Sequence, residues 1–365
     1  MRRALCLVLA LLTLLPFGGE ASAETEFTGS MTLDYAENFS VDYCKGGAAR
    51  LRIAEQDVLL LPEGASIPDG LEALPQIPIP AENLYLASSS APDLFLQMGA
   101  LDTVRYTSTA YESWNISEIR DALDKEQILY AGKYSAPDYE LLLTEGCGLV
   151  IENSMILHSP AVKEKLEALG LPVLVEYSSY EPHPLGRVEW IKLYGLLCGK
   201  LPEAQEYFDR QEAIFHAVED TEPSGKTVAF FHLSPSGGVT VRRRADYITR
   251  MIELAGGETA ITDLPAAENA LSTETIQMES FYAQARGADV LIYNGTAVGA
   301  VPDMEAFLAL SPLFADFKAL RENEVWCTEK SMFQRSSAAA DIIRELHAIL
   351  SGGADDQLNY FYRVK

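Results

Sequence analysis

Polar and aromatic side chains gather at points where apolar runs end in this chain, and their types suit binding better than catalysis. An apolar run closing at Tyr177 is followed by Ser178-Ser179-Tyr180-Glu181-Pro182-His183-Pro184-Leu185-Gly186-Arg187. Another, closing at Tyr130, leads into Gly132-Lys133-Tyr134; a third, closing at Val241, leads into Arg242-Arg243-Arg244; and Phe333-Gln334-Arg335 lies near the end. Arginine offers a rigid fork for carboxylates or phenolates and stacks on flat rings, while tyrosine supplies a ring and a hydroxyl, so together they suit a large, flat or anionic ligand. The plainer alternatives are a solvated charge run at Arg242 to Arg244 and a proline-bounded packing turn at Tyr180 and His183. Nothing nominates a nucleophile: GxSxG, HExxH, GxxxxGK[ST] and a strand-following GxGxxG are all missing. His158, His183, His216, His232 and His347 are scattered, and no two share ligand spacing on one helix.

The elements that must position these residues alternate. Strand-like runs at 83–90, 104–107, 128–134, 148–152 and 172–177 are interleaved with helical stretches at 91–99, 116–124, 138–144 and 160–169. This pattern predicts a largely parallel sheet covered on both faces, with ligand sites at the strand ends. The alternation resumes from Thr227 to the closing helix at 336–350. Between the two series, Pro202 suits a first helical turn, and Ala204, Tyr207, Phe208, Gln211, Ile214, Phe215 and Val218 recur at helical spacing. A helix over 202–219 would run about 27 Å, a strut between two α/β lobes. Ahead of the first lobe, residues 28–61 read as a small antiparallel appendage of three strands, and 62–80 as a proline-rich connector. The divisions expected are a signal peptide at 1–23, an N-terminal lobe with its appendage at 24–200, a linker helix at 201–220 and a C-terminal lobe at 221–365.

Composition narrows the partners. The chain has 365 residues, 48% of them hydrophobic, enough for two cores, and a net charge of −25 that repels nucleic acid and anionic lipid. Arg2-Arg3, an apolar run from Ala4 to Phe17 and Ala21-Ser22-Ala23 form a secretory signal. Cys6 lies inside the apolar run rather than after a small residue at its end, so no lipid-attachment site is read there, and the expected location is periplasmic or otherwise extracytoplasmic. Export permits disulfides, but Cys44, Cys147, Cys198 and Cys327 show no CxxC pair and each lies in an apolar or strand-like context that suits a small buried residue.

Five stretches carry a resemblance: KYSAPDYE (133–140), LEALGLPVLVE (166–176), SSYEPHPLGRVEWIKLYGLLCGK (178–200), ELAGG (253–257) and ARGADVLIYN (285–294). The chain resembles the ABC-transporter substrate-binding proteins with a single rigid helix between their lobes, carriers of ferric siderophores, haem and cobalamin. HPLGRVEWIK is the most specific stretch and resembles the iron-complex binders. The resemblance implies a monomeric receptor with no catalytic step and no cofactor, working with an ABC permease and its ATPase and binding a small-molecule metal chelate. A ferric siderophore is expected, with cobalamin or haem as the alternative. The residues expected in the cleft are Ser89, Trp114, Lys133, Tyr134, Tyr180, His183, Arg187, Arg243 and Arg335; for haem, Tyr134, Tyr180 or His183 would serve as axial ligand. Two docking glutamates facing permease arginines fall on Glu140 and Glu279, which helix-start preference would also explain. An exported enzyme of nitrogenase-like or chelatase type would share the two-lobed plan, but would need metal-binding cysteines or a cleft base that the spacing does not supply.

Overall fold

The computed structural model describes residues 25–235, 237–264 and 273–365. The expected signal peptide lies outside the described residues. Two α/β sheets are arranged around a 19-residue helix, Leu201–Glu219, about 28 Å long. The first sheet is wholly parallel, in the order Val173–Glu176, Leu149–Asn153, Leu84–Leu86, Val104–Thr107, Leu129–Tyr130. The second is mixed. Its central strands Thr227–Leu233, Val290–Tyr293 and Val325–Thr328 are parallel, and antiparallel strands flank them: Val239–Arg242 and Thr273–Ile276 on one side, Phe361–Arg363 on the other. Leu84–Leu86 and Val173–Glu176 of the first sheet and Val290–Tyr293 and Val325–Thr328 of the second are buried from end to end, as expected where helices cover both faces.

One continuous core crosses the molecule. It runs from Phe39 and Leu51 through Leu86 and Ile151 to Trp190, takes in Phe208 and Phe215 of the 201–219 helix, and continues into Phe230 and Ile343. The helix Pro184–Cys198 packs closely on Leu201–Glu219 because residue 195 is glycine: a Cβ there would stand 2.6 Å from the Cβ of Ala204.

The N-terminal appendage has five strands, not three. Phe27–Ser30, Phe39–Cys44, Ala49–Ile53 and Gln56–Pro62 form an antiparallel meander, and Gln76–Ile79 joins Gln56–Pro62 in parallel. The stretch 62–80 therefore holds a strand as well as a connection. The ladder explains how prolines are tolerated. Leu59 N–H donates to Pro75 O (2.8 Å), so Gln76 and Pro78 turn their peptide groups to the free edge, where Pro78 forgoes no bond.

The HPLGRVEWIK stretch fastens this appendage to the first lobe. Glu189 accepts from the backbone N–H of Asp34, Tyr35 and Ala36 at 2.7–3.1 Å and from Lys192 Nζ at 2.7 Å. Glu181 accepts from the N–H of Glu37 and Asn38 and from Trp190 Nε1. Gly186 permits the approach, since a Cβ at that position would lie 2.8 Å from Tyr35 O.

Candidate functional site

A cavity of about 180 Å3 lies between the two sheets, walled by residues that follow strands of both. Ser90 follows Leu84–Leu86, and Ser178 and Ser179 form a one-turn helix after Val173–Glu176. Arg187 comes from the first turns of Pro184–Cys198. Tyr247 starts the helix Tyr247–Leu254, whose N-terminus is capped by Asp246 accepting from Ile248 N–H. Met332, Phe333, Arg335 and Ser336 follow Val325–Thr328. The site thus occupies the carboxyl ends of strands, where an open α/β sheet leaves a crevice.

Two arginines reach this cavity, one from each side. Arg187 Nη2 donates to Ser179 O (2.5 Å), and its guanidinium lies 3.8 Å from the centre of the Tyr247 ring. Its Nε is buried without a hydrogen-bond partner, and burial lowers the pKa of the side chain from its usual range. The same burial pushes the Tyr247 phenol up to about 12. Arg335 donates from Nη1 to Asp93 (3.1 Å) and from Nη2 to Glu118 (3.4 Å), both on the opposite side of the cleft.

Arg335 belongs to a loop that stitches the second sheet to the first. Gln334 Oε1 accepts from Asn115 N–H, and Gln334 Nε2 donates to Ser113 O, both at 2.8 Å. Ser336 Oγ donates to Ser90 O (2.8 Å). Ser337 donates from its N–H (3.1 Å) and its Oγ (2.5 Å) to one oxygen of the fully buried Asp93.

The residues expected in the cleft scatter around this geometry. Arg187 and Arg335 line the cavity, and Tyr180, 38% exposed, closes the turn that supplies Ser178 and Ser179. Ser89 is half-buried beside it, and its neighbour Ser90 supplies the wall. Trp114 is corrected to a core residue: it is fully buried, with Nε1 donating to Thr109 O (3.1 Å). His183 is also corrected. Its Nδ1 accepts from Leu185 N–H, capping the helix, and its ring stacks on Tyr35 at 4.7 Å, so it serves the appendage. Burial, helped by Arg250, lowers its pKa to about 4.

Lys133 is exposed on the hairpin Gly132–Lys133 and Ala136–Pro137, and Tyr134 packs against the cluster of Tyr85, Tyr106 and Leu142 on the far face of the first sheet; neither lines the cavity. Arg243 pairs with Glu274 of the neighbouring strand, away from the cavity wall. Arg242 turns the other way, bonding Asp246 (3.3 Å) with its guanidinium 5.1 Å from the Phe333 ring. Glu140 and Glu279 are exposed in the first turns of Tyr139–Thr144 and Met278–Ala285, and neither forms an ion pair among the described residues.

Sequence reasoning missed Asp93 and Tyr247, and it named Gln334 within Phe333-Gln334-Arg335 without giving it a role. Pro92-Asp93 at a helix start was the available signal for the first; the other two owe their roles to contacts across the cleft. Cys44, Cys147, Cys198 and Cys327 are free and buried. Among the described residues no group of three or more His, Cys, Asp or Glu side chains gathers as a metal site, and no helix is long and apolar enough to cross a membrane.

Residues 105–331 match the periplasmic binding protein family. Two uncharacterized lipoproteins of Methanocaldococcus jannaschii are similar in sequence, one 26% identical over 260 residues (68% of this chain), the other 24% over 249 residues (65%). The matches span 64% and 56% of those relatives' own lengths. Among solved structures, the periplasmic haem-binding proteins of Vibrio cholerae and Pseudomonas aeruginosa superpose with TM-scores of 0.59 at 18% and 16% identity, covering 73% and 78% of this chain and 98% of each of theirs. The periplasmic vitamin B12-binding protein of Vibrio cholerae gives 0.52 at 14% identity, covering 75% of this chain and 99% of its own. At these identities the likeness concerns the fold, and the fold is the same two-lobed plan. Since the family match alone takes in more than half of the sequence, the chain belongs to the periplasmic binding protein family.

Proposed function

We propose that this protein is the solute receptor of an ABC importer, binding an anionic iron chelate of the ferric siderophore type between its lobes and presenting it to the permease. The observation that carries the reading is the meeting of Arg187 and Arg335, from opposite sides of the cleft, at one cavity with serine hydroxyls and the Tyr247 and Phe333 rings. The guanidinium groups would face carboxylate or phenolate oxygens of the chelate, and the rings would cover its apolar surface. Glu140 and Glu279, exposed on the two lobes, would dock on permease arginines. With the expected signal peptide, this work would be done outside the cytoplasm.

Haem is the second reading. It is favoured by Tyr180, an exposed residue in the same short helix as Ser178 and Ser179 of the cavity wall, where a phenolate would suit ferric iron. Absorption and tryptophan-fluorescence titrations of the mature protein with a ferric catecholate siderophore, haem and cobalamin separate the readings. Saturable quenching by the siderophore, weakened in Arg187→Gln and Arg335→Gln, supports the first. A haem Soret shift that disappears in Tyr180→Phe replaces it with the second, and silence with all three ligands overturns the chelate assignment.

A further inference from the structure

A second concave site, of about 610 Å3, lies where the appended sheet meets the first lobe. Part of its wall comes from residues 55–77, which precede the family-matched span. Two strand edges border it: Val173 on the outermost strand of the lobe sheet and Gln76 on the outermost strand of the appended sheet.

The ladders show which main-chain groups those edges offer. Val150 N–H donates to Pro172 O (2.9 Å), so peptide groups at 172 and 174 turn toward Leu149–Asn153, and those at 173 and 175 turn outward. At Val175 the outward pair is already taken. Gln56 Oε1 accepts from Val175 N–H, and Gln56 Nε2 donates to Val175 O, both at 2.7 Å, so one side-chain amide stands in for a neighbouring strand. Val173, one pleat earlier, presents the same donor and acceptor to the groove. Gln76 presents its own pair to the free edge of the other sheet. Val58, Ile77 and Leu171 supply apolar lining.

Charge selects the occupant. Asp57 is bound by Arg50 and Glu167 by Lys163, whereas Glu55 is exposed at the rim and forms no ion pair among the described residues. We infer that this groove docks an extended segment of a partner protein, with β-branched side chains and at least one lysine or arginine, by strand addition to Val173 and Gln76.

The test uses the full mature chain and a fluorescein-labelled peptide of sequence Lys-Val-Thr-Val-Lys, read by anisotropy. Saturable binding is expected, at least about tenfold weaker when the central threonine is replaced by proline, which removes the pairing N–H. Gln76→Pro deletes an edge N–H that the ladder does not use, and Val173→Pro deletes the other; each should weaken the peptide, and the first keeps the test valid if the second does not fold. Glu55→Lys should weaken the lysine peptide and favour its glutamate counterpart. Absence of saturation up to about 1 mM, or equal binding of the proline peptide, overturns the proposal. A concentration-dependent dimer that Gln76→Pro abolishes also overturns it, by giving the groove to a second copy of the chain.

Discussion

At the seam between the appendage and the Pro184–Cys198 helix, all four carboxylate oxygens of Glu181 and Glu189 accept hydrogen bonds, and Lys192 neutralises Glu189 beside them. The seam between the lobes is finished differently. Asp93 is saturated by Arg335 and Ser337, yet Arg335 still borders the cavity, and Arg187 nearby keeps a buried Nε without a partner. Polar residues of similar type thus do different work. Where donors and acceptors match in number, the network only fixes one arrangement; where a buried donor is left over, the site retains capacity for a ligand.

Breaking the saturated seam should have the largest effect. Glu189→Ala leaves the buried Lys192 with only Thr32 O (3.2 Å) and the more distant Asp34 carboxylate (3.7 Å) and strands three backbone N–H groups, an expected loss of about 3 kcal/mol in urea unfolding, with ligand affinity unchanged in the molecules that remain folded. Asp93→Ala should cost about 2–3 kcal/mol. Unlike the first substitution, it should also speed amide exchange at Ser337 and weaken ligand binding, because Arg335 loses its anchor.

Glu152 sharpens the contrast as a carboxyl with no partner for either oxygen. It is fully buried on the Tyr85 and Tyr106 side of the first sheet, and burial raises its pKa to about 8. The folded protein therefore holds a proton that the unfolded chain releases at ordinary carboxylate pKa. Its stability is full below that range and falls as pH rises toward about 8. Glu152→Met should stabilise the protein by about 1–3 kcal/mol at pH 8 and much less at pH 4.5, measured by urea unfolding at both. The smallest effect belongs to Tyr180→Phe. Its side chain is exposed, so the change should shift stability by less than about 0.5 kcal/mol, and any change in ligand spectrum would report contact rather than folding.

The alternation of strands and helices and the long helix at 201–219 were legible because they depend on periodicity, a local property. The strand Gln76–Ile79 was not, because proline counts against a strand unless its place on a free edge is known, and only the ladder reveals that. Trp114 and His183 show the same limit at the site. Residue type marked both as ligand candidates, but which side of a loop faces the cleft depends on packing from elements distant in sequence, Tyr35 in the case of His183. Arg242 ends the strand Val239–Arg242 and Arg243 follows it, and the two side chains go to different partners, Asp246 and Glu274; composition could nominate the cluster but not the member. The HPLGRVEWIK stretch divides in the same way. Arg187 turns to the cavity while Glu189 and Lys192, with Glu181 just ahead of the stretch, hold the appendage, and no spacing rule separates those tasks.

The loop at 332–338 bears on how a receptor of this kind would work in time. Gln334, Arg335, Ser336 and Ser337 are all bonded across the cleft, and one core runs beneath them, so the two lobes are tied together in this structure. For the proposed receptor, a ligand would then meet an arrangement already formed, and capture would need no jaw movement. The difficulty moves to the other end of the cycle. Prising the lobes apart must break these bonds together, each worth about 0.5–1.5 kcal/mol, so in the proposed receptor handover rather than capture would call for outside work. The turn after Val325–Thr328 is where that work would be applied.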